Sequence, residues 1–334
     1  MAGQPAVEVG STGKSPMIPT TNSDPAGTAM TTETPAEAGT DTDAAVAGPV
    51  VEADVLDVSK DVSKDVASNT MSRGASPADS CNDNVMLGGL PVSRWGFAAT
   101  LEKISEWMAS SQSRRIATAN LDFLRLTAKD AELSRCLEGA DLVTADGMPL
   151  VWLSRLAGRP VAERVAGSDL VPALLQRAAQ RGWRVYFLGG AKGTAEAAAL
   201  RAKEQYEGLQ VAGAQGPRVD LGDEDQTRLL VEEIRKSRCD LLLVGLGCPK
   251  QELFLERYVA ASGARVGIGI GGSFDFVSGR RRRAPQWLGR LGLEWAWRMM
   301  LEPRRLGGRY AASLLALPRL ATVSLFQRWK DDTP

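Results

Sequence analysis

Several apolar segments of this chain end in polar or glycine residues, and such positions can carry chemistry. The candidates are Thr118 and Asn120 in IATAN, Asp146 in LVTADG, Gly189 and Gly190 in VYFLGG, and Gly245, Gly247 and Gln251 in LLLVGLGCPKQE. Glycine lets backbone N–H groups approach a phosphate or a uracil closely. One such end is more often a turn or a helix cap, but four at the carboxyl ends of one sheet indicate a shared site.

The chain contains no histidine, which restricts its chemistry. Mechanisms that need an imidazole base, a histidine metal ligand or a Ser-His-Asp triad are excluded. A general base must then be Asp, Glu, Lys, Tyr or Cys, and the strand-end carboxylate of Asp146 is the natural candidate. Its plainer interpretation is an N-cap for a helix over 149–157. Arg164 is either a surface charge or a residue at the rim that pairs with a diphosphate or a sugar hydroxyl.

Neither a metal nor a cofactor is expected. The DxD triplets, which often hold a metal on a nucleotide-sugar, occur at Asp41–Asp43 in a low-complexity tail and at Asp223–Asp225, where a polar helix starts. The four cysteines show no CxxC spacing and are expected to be reduced thiols. GIGIGG at 267–272 matches a dinucleotide fingerprint, but no amphipathic helix follows at once. An NAD(P)-dependent oxidoreductase is therefore the less favoured alternative.

Short apolar strands alternate with helices through the middle of the chain. Strands are predicted at 115–120, 141–146, 184–189, 209–214, 240–247 and 264–271, and helices at 93–110, 121–136, 149–157, 168–181, 193–206, 223–237 and 249–262. Strands with few polar interruptions, separated by helices, indicate a parallel sheet covered on both faces. The fold class is therefore α/β, with a doubly wound, mostly parallel, Rossmann-like sheet. Its ligands should lie beyond the carboxyl ends of the strands.

Composition divides the chain into three parts. Residues 1–85 are expected to be a disordered acidic tail, because they lack aromatic residues and, within 1–80, carry twelve acids and four bases. Residues 86–278 form the predicted α/β core; order should start near Leu90, with Ser93 as the N-cap of the first helix. Residues 279–334 form a basic, Trp-rich helical appendage, with twelve bases and two acids over 280–330.

The basic appendage predicts an anionic partner. A nucleic-acid patch, a solvated helix face and an interfacial amphipathic segment all remain open, and the last is favoured because Arg suits lipid phosphate and Trp suits the headgroup layer. No nucleic-acid partner is predicted, because no recognition motif is present. The apolar run at 311–326 is too short and too interrupted to span a bilayer. With no signal peptide recognised, a cytoplasmic protein peripheral on the membrane is expected.

The ordered blocks of the chain resemble one known family. TANLDFL, ADLVTADGMPLVW, RVAGSDLVPALL, LLVGLGCPKQE, GIGGSFDFVSGRRRRAP and GLEWAWRMMLEPRRLGGRY are similar to segments of the WecG/TagA/CpsF glycosyltransferases, glycosyltransferase family 26. The resemblance covers about residues 90–312. It implies an inverting, metal-independent transfer from a UDP-sugar to a polyprenyl-diphosphate-linked sugar. The setting would be cell-surface polysaccharide synthesis at the inner face of a bacterial plasma membrane.

The resemblance also implies roles for individual residues. Asp146 matches the proposed general base, Thr118 and Asn120 match residues near the donor sugar, Arg164 and Gln251 match polar pocket contacts, and Arg298, Arg305 and Arg309 match appendage arginines that grip diphosphate. Ala145 departs from the family, where many members have Pro. The sugar is left open among N-acetylmannosamine, its uronic acid and a hexose, and so is the oligomeric state. A non-catalytic membrane-associated scaffold is the remaining alternative.

Overall fold

The structure, a computed structural model, describes residues 83–216, 222–281, 283–285, 288, 294–301 and 303–332. Its strands are β1 (Asn84–Leu87), β2 (Leu90–Ser93), β3 (Arg114–Ala119), β4 (Leu142–Ala145), β5 (Arg184–Gly189), β6 (Gln210–Gln215), β7 (Leu241–Gly245) and β8 (Val266–Gly269). Residues 1–82 of the tail expected over 1–85 lie outside the described residues.

Eleven helices occur within the described residues. They are α1 (Phe97–Met108), α2 (Leu121–Thr127), α3 (Ala131–Glu138), α4 (Met148–Leu156), α5 (Gly167–Arg181), α6 (Thr194–Gln205), α7 (Glu224–Ser237), α8 (Lys250–Ser262), α9 (Ser273–Val277), α10 (Glu294–Leu301) and α11 (Pro303–Asp332).

Strands β3 to β8 form one parallel sheet in the order β4-β3-β8-β7-β5-β6. Both faces are covered, as the apolar sequence of the strands predicts. In β7, Leu241 and Leu243 pack on the face that carries α1, α5, α6 and α9. Leu242 and Val244 point the other way, toward α7 and α8. Each fully buried leucine contributes about 1.5–3 kcal/mol of burial free energy, so the alternation holds helices on both faces. The predicted α/β class is confirmed.

A β-hairpin precedes the first helix, and sequence analysis missed it. β1 and β2 pair antiparallel around Gly88 and Gly89, whose φ values of 57° and 90° suit a two-residue hairpin turn. Order therefore begins before Leu90. Ser93 ends β2 instead of capping α1, and its hydroxyl accepts a hydrogen bond from the Trp95 amide at 3.2 Å.

The long helix α11 packs against α2, α4 and the hairpin. Its Leu317 and Leu320 join the apolar cluster formed by these elements, and a Cβ on Gly88 would approach Leu320 to 3.1 Å. Ser313, also on α11, donates a hydrogen bond to Asp122 at 3.1 Å. Within the described part of the chain, no helix is both long and apolar enough to cross a bilayer.

All six predicted core strands are present, but some boundaries were wrong. The single helix predicted over 121–136 is two helices, because the Asp130 carboxylate caps α3 by accepting hydrogen bonds from the amides of Glu132 and Leu133 at 3.0 Å. Asp223, in the second DxD triplet, caps α7 by accepting a 3.0 Å hydrogen bond from the Gln226 amide. A short helix of five residues, α9, follows the GIGIGG segment.

Candidate active site

The predicted site residues gather where the parallel strands end. The register pairs Ala119 with Ala145 and Gly189 with Gly245, so neighbouring strands finish almost level. Helices α2, α4, α6, α8 and α9 begin within a few residues of these ends. Helix N-termini carry unsatisfied N–H groups and a partial positive charge, so this edge of the sheet suits an anionic ligand.

Asp146 lies directly after β4, and it is not a helix cap. Its amide donates to the Ala119 carbonyl at 2.7 Å, which extends the β3–β4 pairing by one residue. Helix α4 instead takes Gly147 as its N-cap, with no side-chain cap bond. A Cβ on Gly147 would lie 3.9 Å from the Cβ of Asn120. The turn that carries the Asp146 carboxylate therefore lies beside Asn120.

Thr118 and Asn120 have different surroundings at the end of β3. Thr118 is buried, and its hydroxyl donates to the Gly269 carbonyl at 2.7 Å, which ties β3 to β8. Asn120 is partly exposed and caps α2 by accepting from the Asp122 amide at 3.0 Å. Its side-chain nitrogen donates to none of the described residues, so it remains available to a ligand. The structure therefore favours Asn120 over Thr118 for direct contact.

Arg164 lies next to the end of β4 among three carboxylates. The Val165 amide donates to the Ala145 carbonyl at 2.9 Å, which places this segment beside Asp146. The Arg164 guanidinium contacts Asp169 at 2.6 Å and Glu294 at 3.1 Å. Burial lowers the pKa of Arg164, but the charges of Asp169, Asp146 and Glu294 outweigh it and raise that pKa above its ordinary value. A fixed cation thus stands beside the candidate base.

The strand-end glycines mainly permit close packing. A Cβ on Gly189 would come within 2.8 Å of the carbonyl carbon and oxygen of Gly245. The Gly190 amide donates to the Gly245 carbonyl at 2.9 Å, and the Gly247 amide donates to Gln251 at 3.1 Å. These two amides therefore donate to acceptors within the protein.

Gln251 joins two loops of the site. Its Oε1 accepts from the amides of Gly247 at 3.1 Å and Gly271 at 3.0 Å, although these loops follow different strands. Its Nε2 donates to Glu252 Oε1 at 2.6 Å. Only 1 % of Gln251 is exposed, and its side chain links the two loops.

Glu252 is a buried carboxyl group that sequence analysis missed. It is 3 % exposed, and its Oε2 has no hydrogen-bond partner among the described residues. Burial raises the pKa of Glu252 to about 7, although hydrogen bonds from Gln251 and from its own backbone lower it. A Cβ on Gly269 would approach Gln251 to 2.8 Å and Glu252 to 3.0 Å, so a glycine is needed where this pair packs on β8.

The start of the basic segment is tied to the core. Arg280 donates to the Thr194 hydroxyl and to the Lys192 carbonyl, at the beginning of α6. Arg283 contacts Asp169 and donates to the Ser168 hydroxyl at 3.1 Å, at the beginning of α5. The sequence did not show that these arginines dock the segment across two helix starts beside the site.

The three appendage arginines lie on the helices that follow. Arg298 belongs to α10, and Arg305 and Arg309 belong to α11; their side chains lie outside what the structure describes. Within the described ranges, no group of three or more Cys, Asp or Glu side chains is arranged to hold a metal ion. Cys136, Cys239 and Cys248 are free thiols.

Comparison with known proteins agrees with this geometry. The profile of the glycosyl transferase WecG/TagA/CpsF family matches residues 85–333. The chain belongs to this family. It therefore is a glycosyltransferase by descent, and the edge of the sheet that holds Asp146, Asn120 and Arg164 is the candidate active site.

Two relatives illustrate the family. A protein of Bacillus spizizenii is 33 % identical over 229 residues, which cover 69 % of this chain and 84 % of the relative. A protein of Bacillus subtilis is 31 % identical over 210 residues, or 63 % of this chain and 78 % of the relative. Both are named N-acetylglucosaminyldiphosphoundecaprenol N-acetyl-beta-D-mannosaminyltransferase.

Proposed function

We propose that this protein transfers a sugar from UDP to a polyprenyl-diphosphate-linked sugar, with inversion at the anomeric carbon and without a metal. The observation that carries the proposal is the Asp146 carboxylate beside the Arg164 guanidinium, at the sheet edge of a glycosyltransferase fold. Among the sugars that the sequence left open, the names of the relatives favour N-acetylmannosamine. They also favour an acceptor that begins with N-acetylglucosamine.

In this mechanism Asp146 is the general base. The acceptor hydroxyl is a poor nucleophile, so Asp146 takes its proton as the oxygen attacks the anomeric carbon. The bond from that carbon to the UDP oxygen breaks on the opposite face, which inverts the configuration. The partly exposed amide of Asn120, beside the Asp146 turn, is suited to donate a hydrogen bond to the donor sugar.

Negative charge then develops on the departing UDP and must be stabilised. Because the Gly190 and Gly247 amides are bonded within the protein, we assign this role to cations and helix starts. Arg164 supplies a fixed guanidinium, and α6 and α8 begin at the same edge. We infer that the appendage arginines Arg298, Arg305 and Arg309 complete the diphosphate contacts, as the family resemblance implies.

The basic appendage is proposed to bind an anionic membrane surface at the cytoplasmic face. Segment 280–330 has a net charge of +10, from twelve bases and two acids. The outer side of α11 exposes Leu315, Val323 and Leu325 to solvent. Exposed apolar side chains combined with basic ones are typical of helices that lie in the interface of a bilayer. Such docking would bring the site to its lipid-linked acceptor.

The test is UDP release from a panel of UDP-sugars with a polyprenyl-diphosphate-linked N-acetylglucosamine acceptor, in the presence of EDTA. Acceptor-dependent release is expected with the N-acetylmannosamine donor, and NMR of the product should show the inverted anomer. Asp146→Asn should lower kcat by about 10²–10⁴-fold, because it removes the base.

Asp141→Asn is the matched control, because Asp141 precedes β4 at its opposite end and pairs there with Arg114 at 2.6 Å. It should keep most of the activity. No release with any donor would refute the transferase. Release that EDTA abolishes would refute metal independence alone, and full activity of Asp146→Asn would reject Asp146 as the base.

A further inference from the structure

The appendage contacts Arg164 of the candidate site through an acidic residue, Glu294, which begins α10. Its Oε2 lies 3.1 Å from Arg164 Nη1, and 130 residues separate the two in sequence. The side chains of Arg164 and Glu294 are only 20 % and 16 % exposed. Because solvent screening is weak at such positions, this pair is stronger than an ordinary surface ion pair.

Two carboxylates from different helices bind the guanidinium group of Arg164. Glu294 of α10 binds Nη1, and Asp169 in the first turn of α5 binds Nη2 at 2.6 Å. A guanidinium is planar, so partners on both terminal nitrogens fix its plane as well as its position. Without Glu294, only the Asp169 contact of these two would remain, and the plane of the guanidinium would be less constrained. The orientation of Arg164 beside Asp146 therefore depends on where α10 lies.

Glu294 also holds the first turn of α10 against the core. Trp297 follows Glu294 by three residues and so shares its side of the helix. The indole Nε1 of Trp297 is buried, with no hydrogen-bond partner among the described residues, so this side of α10 faces the protein. Arg298 follows one turn after Glu294. Anchoring Glu294 therefore also fixes the backbone that carries Arg298.

We propose that Glu294 is a positioning residue that fixes the plane of Arg164 beside Asp146 and anchors α10 at the site. The inference rests on the proposed function, in which Arg164 contacts the departing UDP. Docking of α10 and alignment of Arg164 are then coupled, so a protein in which α10 is displaced has the base in place but no aligned cation.

A double-mutant cycle on the full-length protein tests this coupling. Glu294→Gln keeps the size but removes the charge, and it should lower kcat/KM for the UDP-sugar about tenfold through misalignment. Glu294→Asp, which retains the charge, should recover most of the loss. In an Arg164→Ala background, Glu294→Gln should cost less than about twofold more, because its target is absent. Losses that multiply in the double variant would overturn the proposal.

Glu132→Gln is the matched control, because it breaks an ion pair of 2.6 Å between α3 and α8 away from the site. It should leave kcat/KM unchanged.

Limited trypsin digestion without substrates gives a readout independent of activity. Glu294→Gln should speed cleavage after Arg298, which lies within α10, whereas Glu132→Gln should not. Equal cleavage rates in all three proteins would refute the anchor. If the wild type transferred no sugar, the proposed function would fail, while this digestion would still decide whether Glu294 holds α10.

Discussion

Replacing Glu252 by glutamine should change how the stability of this protein depends on pH. Burial raises the pKa of Glu252 from 4.5 to about 7. A carboxyl group whose folded pKa is raised binds its proton more tightly in the folded state. Its stabilising effect is therefore fully present below the unfolded pKa and is lost as the pH rises through the folded pKa.

The size of the effect follows from the two pKa values. A rise from 4.5 to about 7 corresponds to about 3 kcal/mol in total. Part of this has already been lost at about pH 5, so the free energy of unfolding should fall by about 2–3 kcal/mol between about pH 5 and about pH 8 through this group alone. Glu252→Gln removes the titration but keeps an acceptor for Gln251 Nε2. It leaves a buried amide unpaired, which costs about 1–3 kcal/mol at every pH.

The assay is urea unfolding followed by tryptophan fluorescence at several pH values. The variant should be less stable at low pH, and its stability should then fall less steeply than that of the wild type as the pH rises. Glu256→Gln serves as the control: it lies one turn further along α8, where its exposed carboxylate is 3.7 Å from Arg115. Its pH dependence should match that of the wild type. If Glu252→Gln also kept the wild-type slope, Glu252 would not be the buried titrating group.

Three further changes test other parts of the structure. Gly189→Ala should lower the free energy of unfolding by at least about 2 kcal/mol more than Gly89→Ala, as measured by thermal unfolding. Both glycines have positive φ, but only Gly189 faces backbone atoms at 2.8 Å. Equal losses of stability would exclude the steric explanation. Gln251→Leu should destabilise the fold by about 3 kcal/mol, because it leaves the amides of two loops without their acceptor. An unchanged unfolding midpoint would show that Gln251 does not hold these loops together. Leu315→Asp should weaken cosedimentation with anionic vesicles several-fold, whereas Leu229→Asp, at a similarly exposed position on α7, should not. Equal binding by the two variants would show that α11 does not contact the membrane.

The sheet and the place of the site could be predicted because they follow from local patterns. Apolar strands that alternate with helices require a parallel sheet, and such a sheet brings Asp146 and Asn120 together at one edge. The hairpin was missed although Gly88 and Gly89, between two four-residue apolar segments, were a usable signal. Its proximity to the low-complexity tail concealed it.

Pairings between distant parts of the chain could not be predicted. The Gln251 oxygen serves two loops that come within reach of one side chain only once β7 and β8 are paired. The Arg164–Glu294 contact joins residues that are 130 positions apart, so no local sequence pattern indicates it. Glycine in a sequence also does not distinguish a close approach of two strands from an amide offered to a ligand. At Gly189 the structure shows a close approach to Gly245, and the Gly190 amide donates to the Gly245 carbonyl.

The packing of α11 on the first hairpin has a consequence for synthesis of the chain. Leu317 and Leu320 cover an apolar surface made by the hairpin, α2 and α4, all of which leave the ribosome well over 100 residues earlier. Until those leucines emerge, the nascent protein carries that surface uncovered, as partly folded chains of this size commonly do. Truncation before α11 would make this exposure permanent, so shortened forms should associate with chaperones or aggregate.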